Sequence, residues 1–160
     1  MNIADIKIIK NFMSKSDFNK ILKDVKTNFN KNIHKDNLNS GKQTKSNLHL
    51  INKKSHWKIF FDKLKKTTLN ENIYKCWAIK VDKKEDNFYH AHKNLLTSVF
   101  YLQNKNYYLG THLKSDNLEF IVPGYENSIL IFDGNIVHDC VFPNNKLTKP
   151  RYTLVTDFTL

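Results

Sequence analysis

The residues best suited to chemistry are histidines and a single arginine, most of them in the second half of the chain. The stretch "FYHAHKN" sets His90 and His92 two positions apart. On a strand, residues i and i+2 project from one face, so imidazoles at this spacing can converge on one ion. Neutral imidazole is the commonest protein ligand for transition metals. A third histidine, His138, lies in "SILIFDGNIVHDCVF", where an apolar run breaks at Asp133-Gly134 and then resumes. A facial metal site needs such a ligand from a distant strand, because one strand offers only one edge of a polyhedron. Asp139, next in sequence, should face the other way. A shifted register would pair His92 with Asn94; His90 with His92 needs no amide ligand. The competing reading of His138 is a hydrogen-bonded core histidine, and that of the HxH pair is an exposed strand.

Arg151 stands out against its background. The chain has twenty-five lysines, twenty-one asparagines and this one arginine. Lys, Asn and Ile share A/T-rich codons, so a retained guanidinium points to a need for its geometry. Its planar fork grips a carboxylate through two parallel bonds, whereas lysine offers a point charge. Pro150 precedes it and cannot donate to a ladder, which suits a strand start. On that strand Arg151, Thr153 and Val155 share a face, and Thr153 would add a hydroxyl. The competing reading is an ion pair with a local acid such as Asp157.

The elements that must position these groups follow a simple order. Residues 3–9 read as a short strand. "MSKSDFNKILKDVKTNF" reads as a helix with Ser14 as cap, Asp17 three residues on, and Phe18, Ile21, Leu22 and Val25 as its buried stripe. Residues 30–48 read as a polar, mobile loop. A second helix is expected over about 55–66, capped by Ser55, with Trp57, Ile59, Phe60, Phe61 and Leu64 forming its apolar face. After residue 71 the sequence becomes a series of short β-branched and aromatic runs, "LLTSVFYLQ", "YYLGTHL" and "LEFIV" among them, separated by turn-forming segments. Two helices ahead of such strands predict an α+β, mainly β, antiparallel sandwich or barrel backed by helices. One domain over 1–160 is expected, with residues 1–70 as lead-in and 71–160 as the β core. The remaining histidines His34, His49 and His56 read as surface residues. Trp77 and Phe132 read as core.

Composition narrows the class. A hydrophobic fraction of 40% supports a globular core. No run approaches the roughly 18–20 apolar residues of a membrane span. Asp5, Lys7 and Lys10 interrupt the first apolar residues, unlike a signal peptide, so a cytoplasmic location is expected. Cys76 and Cys140 are far apart and read as free thiols. The formal charge of +11 raises an anionic partner such as nucleic acid, but the lysines look like solvated faces and codon bias explains much of the excess.

The order HxH, "SVFYLQ", "SILIFDGNIVHDCVFP" and "RYT" resembles the Fe(II)/2-oxoglutarate-dependent oxygenases. It is nearest their prolyl-hydroxylase-like branch and its short bacterial and phage relatives. The resemblance covers roughly residues 72–158 and implies a double-stranded β-helix, or jelly roll, behind N-terminal helices. The family pattern is HxD, a distal His, and an Arg-x-Ser/Thr about ten to fourteen residues later; here His92 occupies the place of the acid. Carried over, His90, His92 and His138 would hold Fe(II). Arg151 would bind the distal carboxylate of 2-oxoglutarate with help from Thr153 and Tyr101, and O₂ would take an open iron position. His112, on a neighbouring strand, has two readings, a pocket-lining residue or a plain surface or core residue, and the second is preferred. The substrate implied is a prolyl or other peptide side chain or a small molecule, with nucleic acid an alternative. HxH with "DGNIVHDCVFPN" also resembles cupin motifs, although a cupin usually adds a Glu that "KNLLTS" lacks and has no need of Arg151. A degenerate oxygenase fold used for binding or assembly is the third alternative.

Overall fold

Alternation along one strand organises the molecule. The computed structural model describes residues 6–31, 33–34, 42–83, 89–115 and 118–160. Strand β10 (Arg151–Thr159) is buried over almost its whole length and lies between β4 (Ile73–Val81) and β5 (Leu95–Gln103). Its even-numbered residues Tyr152, Leu154 and Phe158 enter one hydrophobic core, and Val155 enters a second one on the other face. A strand buried on both faces must be apolar on both, or must find partners for its polar groups. On the second face β10 takes the latter course.

Among the described residues the sheet around β10 has seven strands in the order β1-β8-β5-β10-β4-β3-β2, with β1 (Lys7–Ile9), β2 (Ile33–His34), β3 (Lys42–Thr44) and β8 (Ser128–Asp133). A smaller sheet, β7-β6-β9, comprises β6 (Thr111–Ser115), β7 (Leu118–Val122) and β9 (Val137–Cys140). The ladders are antiparallel, and the two sheets face each other as a jelly roll. Leu113, Val122 and Ile136 on the small-sheet side meet Trp77, Val99, Leu130 and Phe132 from the large sheet. The expected runs "LLTSVFYLQ" and "LEFIV" match β5 and β7 residue for residue. The run "YYLGTHL" does not: its first four residues form a loop and the strand starts at Thr111.

Helices α1 (Lys15–Lys31) and α3 (Ser55–Thr68) cover the outer face of the large sheet, with the short α2 (Leu48–Ile51) before α3. Ser14 and Asp17 form the expected start of α1: the Asp17 N–H donates to Ser14 Oγ at 3.1 Å, and the Ser14 hydroxyl donates to Asp17 Oδ2 at 2.8 Å. Other details of the helices differ from expectation. Ser55 is the first residue of α3, and Lys54 takes the cap position without a side-chain bond. Ile59 is 48% exposed and stands off the apolar face. His56 is buried, not at the surface, and its Nε2 lies 2.8 Å from Asp24 of α1, which also receives Lys54 and the Trp57 indole N–H. Burial opposes ionisation of Asp24, but these donors outweigh it and hold the carboxyl below its usual range. Within the segment read as a loop, β2, β3 and the start of α2 are ordered; residues 32 and 35–41 lie outside the described residues. No helix among the described residues is long and apolar enough to cross a membrane.

Candidate active site

His90 and His92 do not sit on one regular strand. His90 makes an isolated antiparallel bridge to His138 at the edge of β9: its N–H donates to the His138 carbonyl at 3.1 Å, and His138 returns a bond of 2.8 Å. The chain then turns into β5 through Asn94, which has φ 58. The His92 N–H donates to the Gly134 carbonyl at 2.7 Å, and the Gly134 N–H to Leu95 at 2.8 Å. A Cβ on Gly134 would lie 2.5 Å from the His92 carbonyl oxygen, so only glycine allows the two turns to lock this closely. The outcome matches the convergence expected from the HxH spacing, by a different route. The ligand atoms of His90, His92 and His138 all lie within 4.8 Å of one another.

The far nitrogens of two rings are already committed. His138 Nδ1 is 2.7 Å from the Ile136 carbonyl, which can only accept, so Nδ1 carries the proton and Nε2 the lone pair. Burial, helped by the neighbouring His90 and His92 rings, pushes the His138 pKa down to about 3 and keeps the ring neutral. His92 Nδ1 is 2.9 Å from Asp157 Oδ1 and 3.2 Å from Thr97 Oγ1, and the Thr97 hydroxyl donates to the same Asp157 oxygen at 2.9 Å. The cluster is therefore a set of imidazoles, a donor set that suits iron, zinc, nickel or copper. Asp139 is not part of it; one carboxylate oxygen accepts the Cys140 N–H at 2.7 Å. Cys76 and Cys140 form no disulfide among the described residues, and burial pushes their thiols up to about 12 and about 11.

Arg151, Thr153 and Val155 line the same cavity as the three histidines, as the alternation on β10 predicts. The space is ≈ 40 Å³, room for about three waters. Arg151 is only 2% exposed. Its Nη1 donates to the carbonyls of Leu109 at 2.7 Å, Gly110 at 3.0 Å and Val141 at 3.1 Å. These partners are uncharged. Among the described residues no carboxylate pairs with Arg151; Asp157, the acid named as a competing partner, is engaged by His92. A permanent charge buried without a counter-ion costs several kcal/mol. An anionic ligand in the cavity would remove that cost.

The other candidate residues fall in different places. Tyr101 stands behind the cavity wall, where its hydroxyl pairs with Thr111 Oγ1 at 2.6 Å, and Thr111 lines the cavity. Burial pushes its phenol up to about 12. His112 points away from the cavity, on the opposite face of β6 from Thr111. Its Nε2 pairs with Glu119 at 2.9 Å and its Nδ1 with the Tyr89 hydroxyl at 2.8 Å. Trp77, read as core, lines the cavity with its ring 5.6 Å from that of His92, and its buried Nε1 has no hydrogen-bond partner among the described residues. Phe132 is core, edge-on to His138. Sequence reasoning overlooked the part Asp157 plays. The same period-2 count that joined Arg151, Thr153 and Val155 reaches it one step later.

No family model matches the chain, and no curated protein matches it. Solved structures do. A Pseudomonas putida prolyl-4-hydroxylase is similar with a TM-score of 0.74 at 12% identity, over 98% of this chain and 93% of that one. A Trichoplax adhaerens prolyl hydroxylase in complex with a hypoxia inducible factor peptide fragment gives 0.72 at 13% identity, over 99% and 84%. HygX from Streptomyces hygroscopicus, with nickel and 2-oxoglutarate bound, gives 0.73 at 7% identity, over 97% and 82%. The fold of this chain is thus the jelly roll of the 2-oxoglutarate oxygenases, as the sequence resemblance implied.

Proposed function

We propose that the chain is a non-haem Fe(II)- and 2-oxoglutarate-dependent dioxygenase that hydroxylates a peptide side chain or a small molecule. One observation carries the reading: a buried arginine without a carboxylate partner among the described residues lines the same cavity as three converging histidines. In this reading His90, His92 and His138 hold the iron, and Arg151 binds the distal carboxylate of 2-oxoglutarate. Bound together, Fe(II) and 2-oxoglutarate supply the O₂ chemistry that places an oxygen atom in a C–H bond.

The protein's own groups bind, orient and exclude water. Carbonyls of Leu109, Gly110 and Val141 fix Nη1, which aims the rest of the guanidinium fork. Thr153 adds a hydroxyl beside it. Tyr101 acts one step back, holding the Thr111 hydroxyl. Ile136 and Asp157 fix the imidazoles of His138 and His92 so that each presents Nε2. Trp77, Ile79 and Val155 make an apolar wall that keeps water from the reacting end. The nickel and 2-oxoglutarate in HygX and the peptide on the Trichoplax enzyme support the co-substrate and the substrate class. Two cysteines outside any disulfide among the described residues suit a reducing, cytoplasmic setting.

The test is an anaerobic titration of the protein with Fe(II) and then 2-oxoglutarate. A visible metal-to-ligand charge-transfer absorption is expected, and Arg151→Ala should lose it. Metal binding with no response to 2-oxoglutarate would replace this reading with a cupin-like metal protein. No metal binding at all would leave a binding or structural role for the fold.

A further inference from the structure

Asp157 holds a position that the three histidines do not explain by themselves. Asp139 and Asp157 are the two buried acids among the described residues, and Asp139 turns to the Cys140 N–H. Asp157 is 2% exposed. It faces the barrel interior from β10, opposite Thr97 of β5. One of its oxygens meets both His92 Nδ1 and the Thr97 hydroxyl. A carboxylate in an apolar interior is expensive unless something positive or strongly polarised lies close. A neutral imidazole N–H alone is a modest partner. An imidazole bound through Nε2 to a dication is a much better one, because the metal draws density from the ring and strengthens the Nδ1–H donor.

We propose that Asp157 is a positioning residue for the metal centre, supplying through His92 the negative charge that an HxD site would place directly on the metal. The inference rests on the three-histidine metal site argued above. Charge closure supports it. A dication and the Arg151 guanidinium bring three positive charges to the cavity, and a bound dicarboxylate removes two. With three neutral imidazoles as ligands, the third has to be met from outside the coordination shell, and Asp157 is the buried acid in contact with a ligand. Thr97 fixes which way the carboxylate faces, so His92 is held in the tautomer that leaves Nε2 for the ion.

Calorimetric titration with Ni(II) tests this on four proteins: the wild type, Asp157→Asn, His92→Asp and the double variant. Asp157→Asn should weaken Ni(II) binding about 10- to 100-fold. His92→Asp alone should also bind weakly, because it sets two carboxylates against each other in a buried site. The double variant should recover much of the loss. Its new carboxylate at position 92 then brings the charge to the metal, and its new amide at position 157 donates to that carboxylate. Effects that simply add, or a single Asp157→Asn variant that binds Ni(II) like the wild type, would overturn the proposal while leaving the metal site standing. A wild type that binds no Ni(II) would instead remove the metal reading and this inference together. A measurement on the unmodified chain covers the case in which variants fail to fold. Nitrogen-15 NMR of the Zn(II)-loaded wild type should show His92 protonated at Nδ1 and metal-bound at Nε2. The opposite tautomer would defeat the proposal.

Discussion

The large sheet has two faces, and they are packed by different rules. On the helix side, Phe12, Phe18, Trp57, Phe60, Phe61 and Phe100 fill the space, mostly edge to face, with ring centroids 5.1–6.3 Å apart. On the barrel side, the same three central strands present Arg151, Thr153, Thr97 and Asp157 among Val99, Val155 and Trp77. On the first face the rings need mainly volume, with the Trp57 indole N–H directed outward to Asp24. The second holds polar groups that need named partners, and one, Arg151, has no charged partner among the described residues. Period-2 alternation makes this separation: neighbouring residues of β10 serve stability and chemistry in turn. The two functions should therefore come apart under mutation.

Phe60→Ala should give the largest effect, a loss of about 3–5 kcal/mol in chemical denaturation, because it opens a cavity among four aromatic rings. Protein that remains folded should bind metal as before; a matching loss of affinity would show that the two faces are not independent. Arg151→Ala reverses the pattern. Affinity for 2-oxoglutarate, measured calorimetrically with Ni(II) present, should fall about 100-fold, as expected for removing one side of a buried charge pair. Its thermal stability should fall little, since a costly buried charge goes with the lost bonds. A large drop in melting temperature at unchanged affinity would assign Arg151 to the scaffold.

Trp77→Phe sharpens the contrast further. It keeps an aromatic ring but removes an N–H that has no partner among the described residues. If a ligand oxygen accepts that N–H, co-substrate affinity should weaken about three- to tenfold with stability unchanged. Tryptophan fluorescence should report ligand binding in the wild type and much less in the variant. Equal affinities would mean that the indole N–H plays no part in binding. The smallest effect is expected outside both cores. Ile59→Ser, on the exposed side of α3, should change stability by less than about 0.5 kcal/mol, and a larger shift would move Ile59 into the helix-side core.

Much of this arrangement is legible in the sequence because it depends on local rules. Strand runs, the Ser14 cap and the shared face of Arg151, Thr153 and Val155 follow from periodicity and turn chemistry. What escaped depends on contacts between distant segments. His56 looks like a surface residue until Asp24, thirty-two positions away, is seen to bond it. His112 belongs to the right strand but the wrong face, a one-residue difference that reverses its meaning. The HxH pair converges through a bridge to His138 and a turn against Gly134, neither of which its own spacing encodes. Asp157 shows the limit most clearly: alternation gives its face, while its partner, His92, is set by tertiary structure.

The position of β10 also has a consequence in time. Strands β4 and β5 are consecutive along the sequence, yet they do not pair; β10 lies between them, joined to both along most of its length. Such pairings are strongly non-local and are reached late, after a large loop has closed. Until β10 inserts, β4 and β5 each keep an open edge, and neither core is complete. Its arrival closes both edges and carries Arg151, Thr153 and Asp157 into the barrel together. Folding and the appearance of the site should then share one rate-limiting step, so recovery of 2-oxoglutarate binding after dilution from denaturant should follow the same time course as recovery of β structure.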